Sequence, residues 1–501
     1  MGVVKKQAYK NTIVSYLGYI VGAVNMALYP RFLGTEGTGL IQLLIAFSIF
    51  FSLISAFGAP GIIVRFFPHY KTDDKLHSGF IQWIGLLSLG GFFVCTFFFL
   101  AFKPFIISAF VKNSALFVDY YNWVIPLGFF LLFFNFFEAV GKVAYQTIYS
   151  SFLKDVLVRV LTTGEMILYA QGYISFNEFV LIYIGLNGLV AVLLFMSILR
   201  SGKFSVKLPD SRFSGIRRKD IINYGSYTLF AGVVIALLQK VDVLMLSSMT
   251  GLSEQGVYST FFAIAVIIGV PAQALNRTTY QIVSDSWKEK DFKNVNNIYS
   301  KTSIIQMTIG CLLFIGVIIN RDNLLAILKK PEFVPQFEVF ILIGLASLVD
   351  ITGGLNLHII SVSDKYRLVT FLTVASSLCC VIMNYFFIPV MGGKGAALAY
   401  LISLTAINFY SWLFIKQNFK MQPFTLKHVL VIAISSVCYL IGHYFWRMPE
   451  LYLDILVRSS VVALIFGSLI YIFKVSPDIN EKIDDTFQKI KGRFFVKNLS
   501  V

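Results

Sequence analysis

The sequence contains few charged residues, few histidines and few cysteines. Only 14% of its 501 residues are Asp, Glu, Lys or Arg, and it has five histidines and five cysteines. So little charge excludes a soluble globular protein of this length, and unpaired cysteine spacing excludes a disulfide framework or a zinc site. A GxxxxGK[ST] phosphate-binding loop is also missing, so we expect no ATP hydrolysis within this chain. We expect neither a metal ion nor an organic cofactor.

Long apolar runs fill most of the chain instead. A helix that crosses a hydrocarbon core of about 30 Å needs about 20 mostly apolar residues. Such windows recur about fourteen times along the sequence, and 57% of all residues are hydrophobic. The sequence therefore predicts an all-α integral membrane protein with about 14 transmembrane helices.

The basic residues follow a topological pattern. The net charge is +16, which in a soluble protein would suggest a nucleic-acid partner. If the amino terminus lies in the cytoplasm and the spans alternate, about 32 of the 42 Lys and Arg fall in cytoplasmic segments, as the positive-inside rule requires. We therefore predict that both termini are cytoplasmic and that nucleic acid is not a partner.

Glycine spacing indicates an internal duplication. Gly34 and Gly39 between the first two spans are five residues apart, as are Gly251 and Gly256, and the offset between the pairs is 217 residues. Gly172 and Gly392 form a further echo at the last turn of each half. Because six spans are an even number, the two copies would share one orientation, related by a pseudo-two-fold axis along the membrane normal.

The predicted domain organisation follows from this repeat and from one polar linker. Two additional transmembrane helices follow the second copy. Ile and Phe recur every three or four residues in the tail, as in an amphipathic helix on a membrane surface, and a frayed, solvated tail is the alternative. The predicted segments are a six-helix lobe over 1–199, a cytoplasmic linker over 200–220, a second six-helix lobe over 221–415, the two additional helices over 416–475 and a cytoplasmic amphipathic tail over 476–501.

Several motifs carry a family resemblance. LGTEGTGLIQ, GAPGIIVR, TGLSEQGVYS and GGKGAALAY resemble the marks of the polysaccharide transporters, the Wzx-type flippases of the multidrug, oligosaccharidyl-lipid and polysaccharide exporter superfamily. The resemblance covers residues 5 to 420. Two extra carboxyl-terminal spans also occur in the lipid II flippase branch, but the arginine-rich first helix of that branch is absent here.

The resemblance implies alternating access around a central cavity between two lobes. It implies transport of an undecaprenyl-diphosphate-linked oligosaccharide to the outer leaflet of the bacterial cytoplasmic membrane, for O-antigen (lipopolysaccharide), capsule or exopolysaccharide synthesis. The implied partners are the lipid-linked oligosaccharide, membrane lipids, and a glycan polymerase with other assembly proteins.

Charged residues in the apolar spans are the candidates for transport. A charge at mid-membrane costs at least about 2.5 to 3.5 kcal/mol, so retained charges usually face a cavity or a partner. Cations suit a diphosphate, and the arginine fork can donate two hydrogen bonds to it. The candidate diphosphate ligands are Arg31, Arg65, Lys240, Arg277 and Arg159. The alternatives are snorkelling to headgroups for arginines near helix ends, and a structural salt bridge for Lys240.

Three carboxylates are candidates for binding a coupling proton or sodium ion: Asp350, Asp242 and Glu138. Asp350, beside two glycines, is the first choice. Asp242 lies two residues from Lys240, on a different helix face, and a structural salt bridge is its alternative. Glu138 precedes Lys142 by four residues, which favours an intrahelical pair. Further polar residues within the spans, without an assigned role, are Glu165, His358 and Asn384.

Two other functions remain open at this point. A cation-coupled multidrug antiporter of the same superfamily is the main alternative. A membrane glycan polymerase or transferase is a further alternative, but such enzymes usually display a sizeable loop or an embedded set of His and acids. Here His358 and His443 lie on different spans without an evident acid partner. We therefore expect a transporter and not an enzyme.

Overall fold

The structure, a computed structural model, describes residues 2–72, 77–144, 147–202, 204–205, 218–482 and 484. This part of the chain is helical and contains no strand. Its α-helices are α1 (Gly2–Ser55), α2 (Ala59–Tyr70), α3 (Phe80–Ala101), α4 (Lys103–Ser108), α5 (Ala115–Tyr120), α6 (Val124–Val143), α7 (Thr147–Ser151), α8 (Val158–Ala170), α9 (Phe176–Arg200), α10 (Arg218–Met249), α11 (Leu252–Val266), α12 (Val270–Lys288), α13 (Phe292–Ile319), α14 (Arg321–Leu328), α15 (Phe337–Gly353), α16 (Asn356–Val362), α17 (Arg367–Met391), α18 (Gly393–Phe419), α19 (Leu426–Tyr444) and α20 (Leu451–Ile472).

The all-α membrane class is confirmed. Within the described chain, twelve helices are long and apolar enough to cross a membrane. The first of these, Val24–Tyr70, contains the predicted span over 38–59 and part of the predicted span over 12–33, because the helices join without a polar loop. The predicted span over 153–172 consists mainly of a π-helix, Phe152–Leu157, and the 13-residue α8, which is too short to qualify alone. The count of fourteen stays a prediction.

Helix α1 is two helices joined by a sharp turn at Gly34. The amide Nε2 of Gln42 lies 3.7 Å from the sulfur of Met26, 16 residues earlier. In a straight helix 16 residues would span about 24 Å. Gly34 has φ 77° and ψ 172°, a conformation that side chains rarely allow, so the chain reverses there. The predicted glycine turn between the first two spans is confirmed.

The turn between α10 and α11 repeats this geometry. The Tyr258 hydroxyl lies 2.7 Å from the carboxylate of Asp242, again 16 residues earlier. Gly251, at the turn, has φ 111°. Each glycine pair of the predicted duplication thus marks a helical hairpin with a glycine at positive φ.

The two hairpin turns also pack against each other with matching residues. A Cβ atom on Gly39 would lie 2.7 Å from the carbonyl carbon of Leu252, and one on Gly256 would lie 3.0 Å from that of Thr35. Leu252 is the counterpart of Thr35, and Gly256 that of Gly39, both at an offset of 217 residues. The two contacts are therefore copies of each other, as at a two-fold interface. The hydroxyls of Thr35 and Ser253 meet at 2.7 Å beside them.

The further echo of the repeat also has matching backbone conformations, because Gly172 and Gly392 both have positive φ, at 78° and 58°. A different pair of glycines, each two residues before a proline, has unlike conformations: Gly58 is left-handed, with φ 76°, whereas Gly269 is right-handed, with φ −83°. The prolines that follow these two glycines nevertheless both start a helix, α2 and α12, where the missing N–H costs nothing.

Contacts group the chain into two compact units. Unit 1 comprises residues 1–260 and 383–396, and unit 2 comprises 261–382 and 397–501. Unit 1 contains α10 because this helix packs on α1. These units differ from the predicted lobe boundaries, and the lobes stay a prediction.

Each unit has its own apolar core. In unit 1, buried aromatic side chains such as Phe117, Tyr121 and Phe179 fill the space between α1, α6 and α9. In unit 2, α13, α19 and α20 share a core around Phe466, and Ile479 of the predicted amphipathic tail packs on it. The rest of that tail, from 485 to 501, and most of the predicted linker lie outside the described residues.

Candidate functional site

Asp242 is held in a polar cluster inside unit 1. Its carboxylate accepts hydrogen bonds from the Tyr258 hydroxyl at 2.7 Å and from the Asn384 side chain at 2.6 Å. The residue is only 7% exposed. These two donors are neutral and come from α11 and α17, whereas Asp242 itself lies on α10. Asp242 therefore joins three helices through one carboxylate.

Lys240 precedes Asp242 of this cluster by two residues on α10. It is partly exposed, and it forms no salt bridge within the described part of the chain. It is not paired with Asp242, as the two-residue spacing predicts. An ammonium group in an apolar helix without an acidic partner is available to an anion.

The candidate arginines have separate positions in unit 1. Arg31 is half-buried three residues before the Gly34 turn, with its guanidinium 5.7 Å from the Phe32 ring. Arg65 is exposed on α2, and its guanidinium lies 4.2 Å from the ring centroid of Tyr224. Cation–π contact explains why this arginine needs no acidic partner there.

The two remaining arginines were also predicted as diphosphate ligands. Arg159 on α8 donates to the backbone carbonyl of Gly18 on α1. A Cβ atom on Gly22 would lie 2.9 Å from the Arg159 guanidinium carbon, so Gly22 leaves room for this side chain. The side chain of Arg277 falls outside the described residues.

The other two candidate carboxylates differ from Asp242. Glu138 forms the predicted pair with Lys142, with 3.3 Å between its oxygen and the ammonium nitrogen. Asp350, in unit 2, is exposed and accepts a hydrogen bond from the Asn408 side chain at 3.2 Å. Glu138 is thus satisfied within its own helix, whereas Asp350 depends on α18 for its partner.

Unit 2 contains a large apolar cavity that the sequence did not predict. Its volume is about 920 Å³, and its walls come from α13, α15, α18 and α19 together with Phe424. Most lining side chains are apolar, among them Met307, Phe314, Leu348 and Trp412. The size is near the upper end of the range for ligand pockets, about 300 to 1,000 Å³.

One part of this cavity is polar. Asn356 and Asn408 both line it, and the amide of Asn356 donates to the Asn408 carbonyls at 3.2 and 3.3 Å. Asn408 also contacts Asp350. We call Asp350, Asn356 and Asn408 the polar corner. The Tyr299 hydroxyl also donates to Asn356, which fixes its side chain. A largely apolar cavity with a polar corner fits an amphipathic ligand.

His358, a polar companion in the sequence prediction, lies on α16 away from the cavity lining. Its ring stacks on Tyr280 with 4.0 Å between centroids, and its Nε2 lies 2.9 Å from the Tyr280 carbonyl oxygen. These contacts join α16 to α12 and account for a histidine at this position.

Sequence reasoning missed a buried ion pair in the two additional helices. Arg458 is 3% exposed and binds both carboxylate oxygens of Asp454, at 3.0 and 3.1 Å. It also donates to the Gly442 carbonyl of α19, while Asn323 of α14 donates to Asp454. The available signal was opposite charges four residues apart within one apolar span. The network attaches α20 to α19 and α14.

The fold is shared with multi-pass membrane transporters of known structure. The fold is similar to that of the lipid II flippase MurJ in an inward-closed conformation, with a TM-score of 0.71 and 16% identity, covering 93% of this chain and 99% of that one. It is also similar to a multidrug resistance MATE family transporter in an inward-facing conformation, with a TM-score of 0.60 and 14% identity, covering 84% of this chain and 96% of that one.

Sequence comparisons assign the chain to a family. Residues 4–280 match the family described as polysaccharide biosynthesis protein, and the chain belongs to that family. An uncharacterized membrane protein of Methanocaldococcus jannaschii is 20% identical over 492 residues, covering 93% of this chain and 94% of that protein. A probable low-salt glycan biosynthesis flippase of Haloferax volcanii is 23% identical over 294 residues, covering 58% and 60%.

Proposed function

We propose that this protein moves an undecaprenyl-diphosphate-linked oligosaccharide from the cytoplasmic to the outer leaflet of a bacterial cytoplasmic membrane. The product would serve the synthesis of a surface polysaccharide such as O-antigen, capsule or exopolysaccharide, beside a glycan polymerase and other assembly proteins. Both termini lie in the cytoplasm in this proposal. The transport changes no covalent bond, so the protein is not an enzyme.

The observation that carries this proposal is the cavity of about 920 Å³ with its polar corner. A polyprenyl chain is a long apolar ligand, and each CH₂ group removed from water contributes about 0.8 kcal/mol. Because a polyprenyl chain has no polar groups, it needs no hydrogen-bond partner along the apolar walls. The amides of Asn356 and Asn408 offer donors and acceptors where such a chain would meet its polar head.

A diphosphate also needs positive charge along its path. Lys240 supports this role because it has no acidic partner in the described chain. Arg65 supports it because, among the described residues, its guanidinium contacts the aromatic rings of Phe66 and Tyr224 and forms no salt bridge. Arg31, Arg159 and Arg277 are the further diphosphate ligands of this proposal. A Lys240→Ala, Arg65→Ala double variant should insert normally in the membrane and lose surface glycan. Normal surface glycan in that strain would contradict the assignment.

Asp242 is the best supported carboxylate for coupling to a proton or sodium gradient. Its partners Tyr258 and Asn384 lie on different helices, so a cation on the carboxylate would alter contacts among three helices at once. Asp350 is the second choice, and Glu138 is the third because Lys142 already neutralises it. An Asp242→Asn variant should flip substrate without dependence on either gradient.

Depletion of the protein in cells tests the proposed function. Lipid-linked oligosaccharide should accumulate on the cytoplasmic leaflet, where external glycosidase cannot reach it. A matched pair of neighbouring substitutions on α19 then tests the cavity. Ser436→Trp should fill the cavity, because Ser436 lines it. Val437→Trp is the control, because Val437 is exposed elsewhere on the same helix. Only Ser436→Trp should cause the same accumulation of lipid-linked oligosaccharide as depletion of the protein.

A cation-coupled multidrug antiporter is the second candidate. The apolar cavity also suits drug-sized ligands, which is the specific observation in its favour. The antiporter predicts that depletion sensitises cells to lipophilic cations and leaves the lipid-linked oligosaccharide where it was. The flippase predicts the reverse pattern.

A further inference from the structure

Tyr280 on α12 presents an aromatic ring and a free hydroxyl group on the surface of unit 2. Its ring stacks on the His358 ring, with 4.0 Å between centroids and 17° between planes. The residue nevertheless remains 39% exposed, and its hydroxyl has no hydrogen-bond partner among the described residues. Because His358 covers one face of the ring, the exposed surface belongs to the other face and to the edge.

Neighbouring groups hold this stacked pair in place. The His358 Nε2 lies 2.9 Å from the Tyr280 carbonyl oxygen and 3.4 Å from the Ser284 hydroxyl, both on α12. The Ser361 hydroxyl lies 3.5 Å from the other ring nitrogen. His358 therefore has partners at both nitrogens and supports the Tyr280 ring from below. A ligand would meet a preformed surface, which lowers the ordering cost of binding.

A carboxylate with a free oxygen lies near this ring. The Tyr280 hydroxyl interacts electrostatically with Asp350 of α15. One oxygen of Asp350 accepts a hydrogen bond from the Asn408 side chain at 3.2 Å. The residue is exposed, and its other oxygen has no hydrogen-bond partner among the described residues. An accessible aromatic ring thus lies near two polar groups that are available to a ligand.

These groups adjoin the polar corner of the cavity. Asp350 and Asn408 belong to that corner, and Asn408 also lines the cavity. Arg277, a diphosphate ligand of the proposed function, precedes Tyr280 by three residues on α12. The surface therefore continues from apolar walls through amides to an aromatic ring with a carboxylate. A lipid-linked sugar has the same order of parts, namely an apolar chain, a polar linkage and a sugar ring.

We propose that Tyr280 and Asp350 form a sugar subsite, which takes a neutral pyranose ring of the lipid-linked oligosaccharide. This inference rests on the proposed function. The C–H groups on one side of a pyranose form an apolar face that packs on an aromatic ring, whereas its hydroxyls need hydrogen-bond partners. The free Asp350 oxygen accepts from one sugar hydroxyl, and the Tyr280 hydroxyl donates to or accepts from another. An acidic sugar is disfavoured, because it would bring a second negative charge towards Asp350.

Saturation-transfer NMR of the purified full-length protein tests the subsite without any lipid. The probes are methyl glucoside and methyl glucuronide, which share a pyranose ring and differ in charge. Wild-type protein should transfer saturation to the ring C–H protons of the glucoside, and about fivefold less to the glucuronide, the equivalent of one solvated charge contact. Tyr280→Ala should remove the glucoside signal. Asp350→Asn, which keeps an acceptor for Asn408, should reduce the difference between the probes.

Tyr385→Ala is the matched control, because Tyr385 is an exposed tyrosine of α17 in unit 1. It should leave both signals unchanged. Equal glucoside signals from the wild type and Tyr280→Ala would overturn the proposal, and so would a glucuronide signal as strong as that of the glucoside. If Tyr280→Ala fails to fold, Tyr280→Leu provides the same measurement with a larger apolar side chain.

A flipping assay with lipid-linked oligosaccharide separates this proposal from the proposed function. A wild-type protein that binds the glucoside but flips no lipid-linked oligosaccharide would contradict the proposed function and leave the sugar subsite intact. A wild-type protein that flips this lipid but gives no glucoside signal would overturn the subsite alone.

Discussion

Substitution of Gly39 or Gly256 by Ala tests the contact between the two repeated hairpin turns. A Cβ atom on Gly39 would lie 2.7 Å from the Leu252 carbonyl carbon, whereas ordinary contacts of this kind begin at 3.4 Å. The two turns must therefore separate by at least about 0.7 Å, or the backbone must distort. Overpacking of this kind costs about 1 to 3 kcal/mol.

This cost translates into a measurable shift of population. Each 1.4 kcal/mol corresponds to a factor of about ten, so either substitution should disfavour the closed contact by about fivefold to a hundredfold or slightly more. Because the two contacts are copies at an offset of 217 residues, we expect Gly39→Ala and Gly256→Ala to act in the same direction.

Disulfide cross-linking measures the closed contact directly. Thr35 and Ser253 have hydroxyl oxygens 2.7 Å apart, so a Thr35→Cys, Ser253→Cys pair should cross-link readily once the five native cysteines are removed. Addition of Gly39→Ala or Gly256→Ala should lower the yield. Gly90→Ala is the control, because a Cβ atom there meets no atom within 4 Å. Equal cross-linking yields with Gly39→Ala, Gly256→Ala and Gly90→Ala would refute the reasoning.

Two more predictions concern unit 2. Asp454→Ala should destabilise the protein by about 3 to 5 kcal/mol, because it leaves the Arg458 charge buried and unpaired, and the melting temperature in detergent should fall. An Asp454→Leu, Arg458→Met double variant should recover most of that loss, and a double variant as unstable as Asp454→Ala would contradict the explanation. Asn408→Leu should slow flipping by about tenfold, the equivalent of one charge-assisted hydrogen bond. An unchanged rate would exclude the polar corner from substrate binding.

Local chain reversals were the most predictable part of this fold. Glycine pairs at a constant offset identify the hairpin turns because few other residues adopt the positive φ at Gly34 and Gly251. The sequence pattern could not show that Gly39 and Gly256 also pack on the opposite turn. That contact depends on tertiary approach, which leaves no local periodicity.

The candidate site was predictable in its charged residues and unpredictable in their partners. Asp242 stands out as an acid in an apolar helix, but Tyr258 and Asn384 are ordinary residues of two other helices. Glu138 and Lys142 were predictable as a pair because both partners lie on one helix. Their bond depends only on helical periodicity.

The cavity of unit 2 had no sequence signal. Its walls are mostly apolar side chains, and the same residue types also fill cores and face lipid. Only three-dimensional packing distinguishes a cavity wall from a core position.

Transbilayer movement in reconstituted vesicles tests the central claim most directly. Purified protein is placed in liposomes with a lipid-linked oligosaccharide on the inner leaflet, and an impermeant glycosidase outside reports its arrival. The account predicts rapid exposure with the wild-type protein, slow exposure with Lys240→Ala and none with Ser436→Trp. Exposure no faster than in protein-free liposomes, with uptake of a lipophilic cation by the same vesicles, would contradict it.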